Sequence, residues 1–172
     1  MENEIWNLYD ENGRKSELTI LRNSGDKIPE GLYHIVVEIL VRHKDGTYLL
    51  MKRDPNKDVY PGYWEASAGG SAIEGEGPLI AAVRELREET GIRISSDDLV
   101  LISHTLSERS RSSFYSYYVE TDCNKDSIIL QEKETVDFKW VDKDGFLAFV
   151  DSDESIKTHN RRYAEYIDRL RS

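Results

Sequence analysis

The clearest strand of this chain is predicted over residues 34–42, where apolar and β-branched residues recur at every second position. The residues that share one face are Ile35, Val37, Ile39 and Val41. Glu38 lies on the opposite face, and a carboxylate is unusual inside so apolar a strand. It indicates either an edge or cleft-facing position, or a substrate-binding residue on the floor of a pocket. The pattern leaves both interpretations open.

Weaker strand patterns and turn residues divide the rest of the chain. Residues 4–22 predict a hairpin around Asp10-Glu11-Asn12-Gly13, and residues 23–31 predict a loop. Further strands are predicted over residues 47–52, 64–68, 99–105, 113–120, 128–130 and 136–141. A short helix is predicted over residues 143–149. A closing helix is predicted over residues 156–170, with its Lys and Arg residues on a solvated face and an apolar side made of Tyr163, Tyr166, Ile167 and Leu170.

One early helix is predicted between Gly77-Pro78 and Gly91, because these residues start and stop helices. At about 100° per residue, its apolar face consists of Leu79, Ala82, Val83, Leu86 and Thr90. Glu85, Glu88 and Glu89 fall on a different face. Like charges one turn apart destabilise a helix by roughly 0.2–0.5 kcal/mol per pair. A hard divalent cation, which prefers oxygen ligands, would offset this repulsion.

Composition and order of elements bound the fold class and the location. Mixed strands with one early and one late helix predict an α/β sandwich, and 172 residues suit a single domain. The net charge of −10 argues against nucleic-acid polymers and anionic membranes as partners. Cys123 is the only cysteine, which excludes an internal disulfide and favours a reducing cytoplasm. No basic-then-apolar leader opens the sequence, and no apolar run is long enough to span a bilayer.

Glycines, an arginine and glutamates stand at fixed spacings around the early helix. They are Gly70, Glu76, Arg84-Glu85-Leu86, Glu88-Glu89 and Gly91-Ile92. This series resembles the Nudix box, Gly-x5-Glu-x7-Arg-Glu-U-x-Glu-Glu-x-Gly-U with U aliphatic, and every fixed position is filled. The resemblance implies one Nudix domain over residues 1–172, an α/β/α sandwich with a mixed β-sheet. Residues 70–92 are expected to form its loop–helix–loop, and residues 1–30 an N-terminal β-hairpin extension.

The resemblance also implies a divalent-metal site, with Mg²⁺ as the cofactor and Mn²⁺ as a possible substitute. The expected ligands are the backbone carbonyl of Gly70 and the carboxylates of Glu85, Glu88 and Glu89. Glu85 and Glu88 are also candidate catalytic residues.

Four further residues complete the expected site. Arg84 and Glu76 are expected to support the metal-binding carboxylates. Glu134 stands where the family often carries a further catalytic glutamate, with a solvated loop charge as the alternative. Arg53 is a candidate substrate-binding residue that contacts phosphate, with a surface cation as the alternative.

These features imply a hydrolase of a diphosphate linkage in a nucleoside diphosphate derivative or similar small molecule, acting as a monomer or homodimer. Isopentenyl-diphosphate isomerase is one alternative, because Pro61-Gly62-Tyr63-Trp64 and the N-terminal extension resemble that enzyme. However, Gly69 and Ser71 stand where the isomerase needs a cysteine and a histidine. A non-catalytic nucleotide-binding Nudix module is another alternative, but such a module would be expected to lose box carboxylates, and none is lost.

Overall fold

The computed structural model of this protein describes residues 4–172. Residues 1–3, which belong to the predicted N-terminal extension, lie outside this range. The strands are β1 (Ile5–Tyr9), β2 (Lys15–Leu21), β3 (His34–His43), β4 (Tyr48–Arg53), β5 (Trp64–Ala66), β6 (Ala68–Ser71), β7 (Val100–Ser107), β8 (Ser112–Thr121) and β9 (Thr135–Val141). The helices are α1 (Pro78–Thr90), α2 (Lys143–Asp151), α3 (Lys157–Arg162) and α4 (Ala164–Arg171). Among these residues, no helix has the length and apolar character needed to cross a bilayer.

The strands form a small hairpin and a larger mixed sheet. β1 and β2 pair as an antiparallel hairpin, as predicted for residues 4–22. The other seven strands form one sheet in the order β5-β4-β3-β8-β7, in which β6 also pairs with β3 and β9 with β4. β3 and β8 run parallel, whereas the remaining pairs are antiparallel. The predicted mixed α/β fold with an N-terminal hairpin is therefore confirmed.

Helices cover both faces of the large sheet. Alternation along β3 directs Val37 towards α1, where it packs with Ala82 and Leu86. Leu40 points to the opposite face and packs with Phe146 of α2 and with α4. Burying each such aliphatic or aromatic side chain contributes about 1.5–3 kcal/mol. The sheet is thus the middle layer between α1 on one side and the C-terminal helices on the other.

The large sheet divides at Ser67. β3 and β4 pair with each other at Arg42 and Tyr48. Farther along the sheet, β3 pairs with β6, whereas β4 pairs with β5. Ser67 is fully buried with a φ of 67°. Its hydroxyl donates to the Leu49 carbonyl oxygen at 2.9 Å and accepts the Val41 N–H at 2.8 Å. The strand predicted over residues 64–68 is therefore two strands, and residues on both sides of the division line a cleft.

Two further sequence-based elements are wrong. The segment 128–130 is not a strand, and the Ile129 N–H instead bonds to the Thr90 carbonyl oxygen at 3.0 Å, at the end of α1. The predicted helix over 156–170 is two helices, because Tyr163 between them has φ −96° and ψ 7°. This break lets Arg162 of α3 reach the sheet while Ile167 of α4 stays in the core. The other predicted strands and the helix over 143–149 agree with the structure to within two residues.

Candidate active site

The buried face of helix α1 differs from the face predicted from its sequence. Leu79 was expected on the buried face but is 42% exposed, whereas Glu89 is only 5% exposed. The side chains of Glu85 and Glu88 are 12% and 38% exposed. The carboxylates therefore do not share one solvated face. They form a series that runs from the core at Glu89 to the surface at Glu88.

The glycines of β6 let the sheet approach these carboxylates closely. The Gly69 N–H donates to the Glu89 carboxylate at 3.0 Å. A Cβ added to Gly70 would overlap the Glu85 carboxylate, so a side chain there would displace Glu85. The contact between β6 and α1 thus leaves no space for a side chain at position 70 while Glu85 keeps its place.

Arg84 ties together the less buried carboxylates. It bonds to Glu76 at 2.7 Å, to Glu85 at 2.9 Å and to Glu88 at 3.0 Å. It also donates to the Ser71 carbonyl oxygen at 3.0 Å. Burial alone would raise the pKa of Glu76, but the bonds from Arg84 and the Ile73 N–H lower it. Glu76 and Arg84 therefore form a stable ion pair from which Arg84 reaches the other glutamates.

The inner two carboxylates lie where ionisation is unfavourable. Burial raises the pKa of Glu85 to about 7, although Arg84 acts in the opposite direction. Burial also raises the pKa of Glu89, and the charges of Glu65 and Glu85 raise it further. Within residues 4–172, the hydrogen-bond partner of Glu89 is the Gly69 amide rather than a basic side chain. A buried carboxylate without a cation is costly.

The donor chemistry of this cluster fits a hard divalent cation. Carboxylate and backbone oxygens are the ligands such ions prefer, and a cation would balance the charge of Glu85 and Glu89. Across the described residues, no three His, Cys, Asp or Glu side chains already converge in a metal-binding arrangement. Arg84 instead neutralises Glu85 and Glu88 from one side.

Two basic residues that line the cleft, Arg53 and Lys57, are each held by a carboxylate. Arg53 bonds to both carboxylate oxygens of Glu65, at 3.1 and 3.2 Å, and also to the Val59 carbonyl oxygen. Lys57 forms an ion pair with Glu134. The Glu134 carbonyl oxygen accepts the Asp54 N–H at 2.9 Å, which holds its loop beside β4. Arg53 and Glu134 are therefore both cleft residues held in ion pairs.

Glu38 lies in the deep part of the cleft and is 4% exposed. An edge position is wrong, because β3 has paired strands on both sides. Glu38 forms an ion pair with Arg162, accepts the Ser116 hydroxyl at 3.0 Å and lies 3.6 Å from His159. The Arg162 guanidinium also stacks 3.9 Å from the Phe114 ring centroid. Arg162 is thus not on a solvated face, as the sequence had indicated.

A single cleft of about 810 Å³ joins these groups. Every predicted site residue except Glu76 lines it. Sequence reasoning missed Lys57, Glu65, His159 and Arg162, which also line it. The one local signal was the acidic Glu65 inside a short, otherwise apolar strand next to the box. His159 and Arg162 come from the far end of the chain, so no spacing rule could have found them.

The fold and the cleft define an α/β enzyme with an acidic site that faces basic residues. A family model for the NUDIX domain matches residues 32–167, and the chain belongs to this family. An uncharacterized Nudix hydrolase of Listeria innocua is 34% identical over 154 residues, which cover 89% of this chain and 88% of the relative. This chain is a Nudix hydrolase, an enzyme class that acts on phosphoric anhydride bonds.

Two other comparisons bear on substrate and fold. The nucleoside triphosphatase NudI of Salmonella arizonae is 32% identical over 115 residues, which cover 61% of this chain and 79% of that protein. The crystal structure of DR0079 from Deinococcus radiodurans matches with a TM-score of 0.71 and 22% identity, over 98% of this chain and all of that one. At this identity, the second likeness describes the shared fold.

Proposed function

We propose that this enzyme hydrolyses a diphosphate linkage in a nucleoside diphosphate derivative or a similar small molecule, with Mg²⁺ as its cofactor and Mn²⁺ as a substitute. The observation that carries the proposal is the buried pair Glu85 and Glu89, both with a raised pKa, in a cleft that also holds Arg53. Such a site attracts a cation on one side and phosphate on the other.

The carboxylates of Glu85, Glu88 and Glu89 would hold the cation, together with the Gly70 carbonyl oxygen. A bound divalent cation neutralises phosphate charge and lowers the pKa of a water molecule. The pair formed by Arg84 and Glu76 keeps Glu85 and Glu88 aligned, since Arg84 contacts both. Removing one of the carboxylates that hold the cation should cost about 10²–10³-fold in kcat, as is typical for groups that stabilise the transition state.

The basic side chains of Arg53 and Lys57 would orient the diphosphate. Lys57 and Arg53 are each held by one carboxylate, Glu134 and Glu65, in the absence of substrate. A diphosphate that draws Lys57 towards itself would free Glu134 to accept a proton from the attacking water. Glu38 would shape the floor beneath the rest of the substrate, because Arg162 holds its carboxylate at a fixed place.

The name of the relative NudI supports a nucleotide as the substrate. The structure disfavours isomerase chemistry, because a Cβ added at position 69 would lie 2.7 Å from the Val37 carbonyl oxygen and leaves no room for a thiol. A non-catalytic module is disfavoured by the complete set of box carboxylates. The unpaired Cys123 supports a cytoplasmic enzyme, which we expect to act as a monomer or homodimer without polymeric nucleic-acid or membrane partners.

A substrate panel tests this proposal. Nucleoside di- and triphosphates, nucleotide sugars and dinucleotides are incubated with the enzyme, and phosphate release is measured with Mg²⁺ and with EDTA. We expect release from at least one member, loss of release in EDTA and recovery with Mg²⁺ or Mn²⁺. Isopentenyl diphosphate in heavy water serves as the isomerase control and should take up no deuterium. Full turnover in excess chelator would contradict the metal assignment.

A further inference from the structure

The N-terminal hairpin lies outside residues 32–167, which match the family, yet it touches the box. We call residues 72–77, between β6 and α1, the box loop. The Ile5 carbonyl oxygen accepts the Glu74 N–H at 2.7 Å. The Asn7 side-chain oxygen accepts the Gly75 N–H at 2.8 Å. β1 therefore holds the box loop by a backbone bond and a side-chain bond from alternate residues of the same strand.

Asn7 makes the more specific of these contacts. It is 5% exposed, so its amide has left water to make this bond. Gly75 has a φ of 87°, a conformation that other residues rarely adopt, and it directs its N–H to Asn7. Without the Asn7 oxygen, this N–H would lose its partner, which is unfavourable for a backbone donor.

The contact continues from the box loop to the carboxylates. The Tyr9 hydroxyl donates to the Glu76 carbonyl oxygen at 3.3 Å. The Glu76 carboxylate accepts the Ile73 N–H at 3.2 Å and two bonds from Arg84, at 2.7 and 2.9 Å. Arg84 in turn contacts Glu85 and Glu88. Tyr9 thus contacts the Glu76 backbone and Asn7 contacts the preceding residue, Gly75, while the Glu76 side chain bonds to Arg84. Through Glu76 and Arg84, the hairpin is connected to two of the carboxylates assigned to the cation.

The hairpin itself is fixed to the large sheet. Tyr9 and Tyr33 exchange two backbone hydrogen bonds, at 2.9 and 2.8 Å. The Trp6 indole stacks on His34 at the start of β3, with ring centroids 4.1 Å apart. Because the hairpin is anchored in this way, it can hold the box loop at one position relative to the sheet.

We propose that the hairpin is part of the active site and that Asn7 is a positioning residue, which aligns Glu85 and Glu88 through the box loop and Arg84. This inference rests on the proposed metal-dependent hydrolysis. Partners of metal-binding residues typically change metal affinity or activity by about 10–100-fold when they are removed. Because Asn7 acts through Glu76 and Arg84 rather than on a ligand directly, we expect losing its acceptor to weaken Mn²⁺ binding and lower kcat by up to about tenfold.

The test compares variants of one strand and one turn. Asn7→Leu and Asn7→Ala remove the acceptor, and Asn7→Asp keeps it. Asn12→Ala makes the same chemical change in the exposed turn, away from the box loop. Leu8→Ala loosens β1 through a side chain that is 1% exposed and leaves Asn7 in place. For each variant, Mn²⁺ affinity is measured by electron paramagnetic resonance, alongside kcat, KM and melting temperature.

A positioning role predicts a particular pattern. The acceptor-free variants should lose Mn²⁺ affinity and kcat, with KM little changed, and Asn7→Asp should recover most of both. Asn12→Ala should match the parent, and Leu8→Ala should melt earlier without a comparable loss of Mn²⁺ affinity. Parental affinity and kcat in a folded Asn7→Leu or Asn7→Ala variant would overturn the inference, as would an equal loss in Leu8→Ala.

Amide hydrogen exchange over residues 74–76, read in EDTA without substrate, separates this inference from the proposed function. Faster exchange in the acceptor-free variants is expected, and unchanged exchange overturns the positioning role even if the parent hydrolyses diphosphates. Faster exchange in those variants, with a parent that hydrolyses no diphosphate, refutes the proposed function and leaves the positioning role standing.

Discussion

Replacing Glu85 by glutamine should stabilise the protein when no metal is present. The side chain keeps its size, but its ionisable group is lost. Glu85 is 12% exposed, and burial raises its pKa to about 7, from an ordinary value of 4.5. Ionising this group therefore costs free energy in the folded parent, and this cost is absent from the glutamine variant.

The sign and size follow from proton linkage. A folded-state pKa above the unfolded one means that the native state binds the proton more tightly, so stability falls as the pH rises from about 4.5 through about 7. At about 1.4 kcal/mol per pKa unit, the full cost above this range is about 3 kcal/mol. For a chain of this length, that corresponds to roughly 6–12 °C in melting temperature.

Thermal melts of the parent and Glu85→Gln in EDTA, at several pH values between 4.5 and 8.5, measure this effect. The two proteins should melt together at the lowest pH, and the variant should melt progressively later as the pH rises. Saturating Mg²⁺ should narrow the gap at pH 8, because a ligand at 100 times its Kd stabilises the parent by about 2.7 kcal/mol. A variant that melts earlier than the parent at pH 8, or by a constant difference at every pH, would refute the reasoning.

Four further substitutions have definite expected outcomes. Gly70→Ala should displace the Glu85 carboxylate and lower kcat, with a smaller effect on stability because the new Cβ meets the free end of a side chain, as measured by turnover and denaturant melts; an unchanged kcat would contradict the role of this contact. Glu76→Gln should lose about tenfold in kcat, with Glu134→Gln between it and the metal-binding glutamates, and steady-state kinetics that reverse this order would contradict the assigned roles. Cys123→Ser should stay within a few-fold of the parent, because Cys123 is half-buried and does not line the cleft; a collapse of turnover in the folded variant would give the thiol a role.

Local sequence signals were sufficient for most of the regular elements. The alternation along residues 34–42 indicates a strand, which the structure buries on both faces, and Gly77-Pro78 and Gly91 mark the ends of α1 because their backbones favour those positions. The strand predicted over residues 128–130 was wrong because a short apolar run can pack without a strand partner. The closing helix was predicted as one element because its apolar period continues across Tyr163, where the structure breaks it, and the accompanying contact between Arg162 and Glu38 joins residues far apart in sequence.

The site was predictable only where its residues are close in sequence. The box glutamates stand at fixed spacing, so the sequence names them without knowledge of the fold. It could not orient α1 correctly, because the burial of Glu89 depends on how closely Gly69 and Gly70 approach the helix. Nor could it bring His159 beside Glu38, since that contact joins the last third of the chain to the central strand.

The most direct test of the central claim is the kcat of Glu89→Gln at saturating Mg²⁺, on the best substrate of the panel. The claim is that the buried carboxylates of α1 hold the cation for diphosphate hydrolysis. Losing such a group should lower kcat by at least about 10²-fold while the variant melts no earlier than the parent in EDTA. A folded Glu89→Gln variant with near-parental kcat would contradict the account.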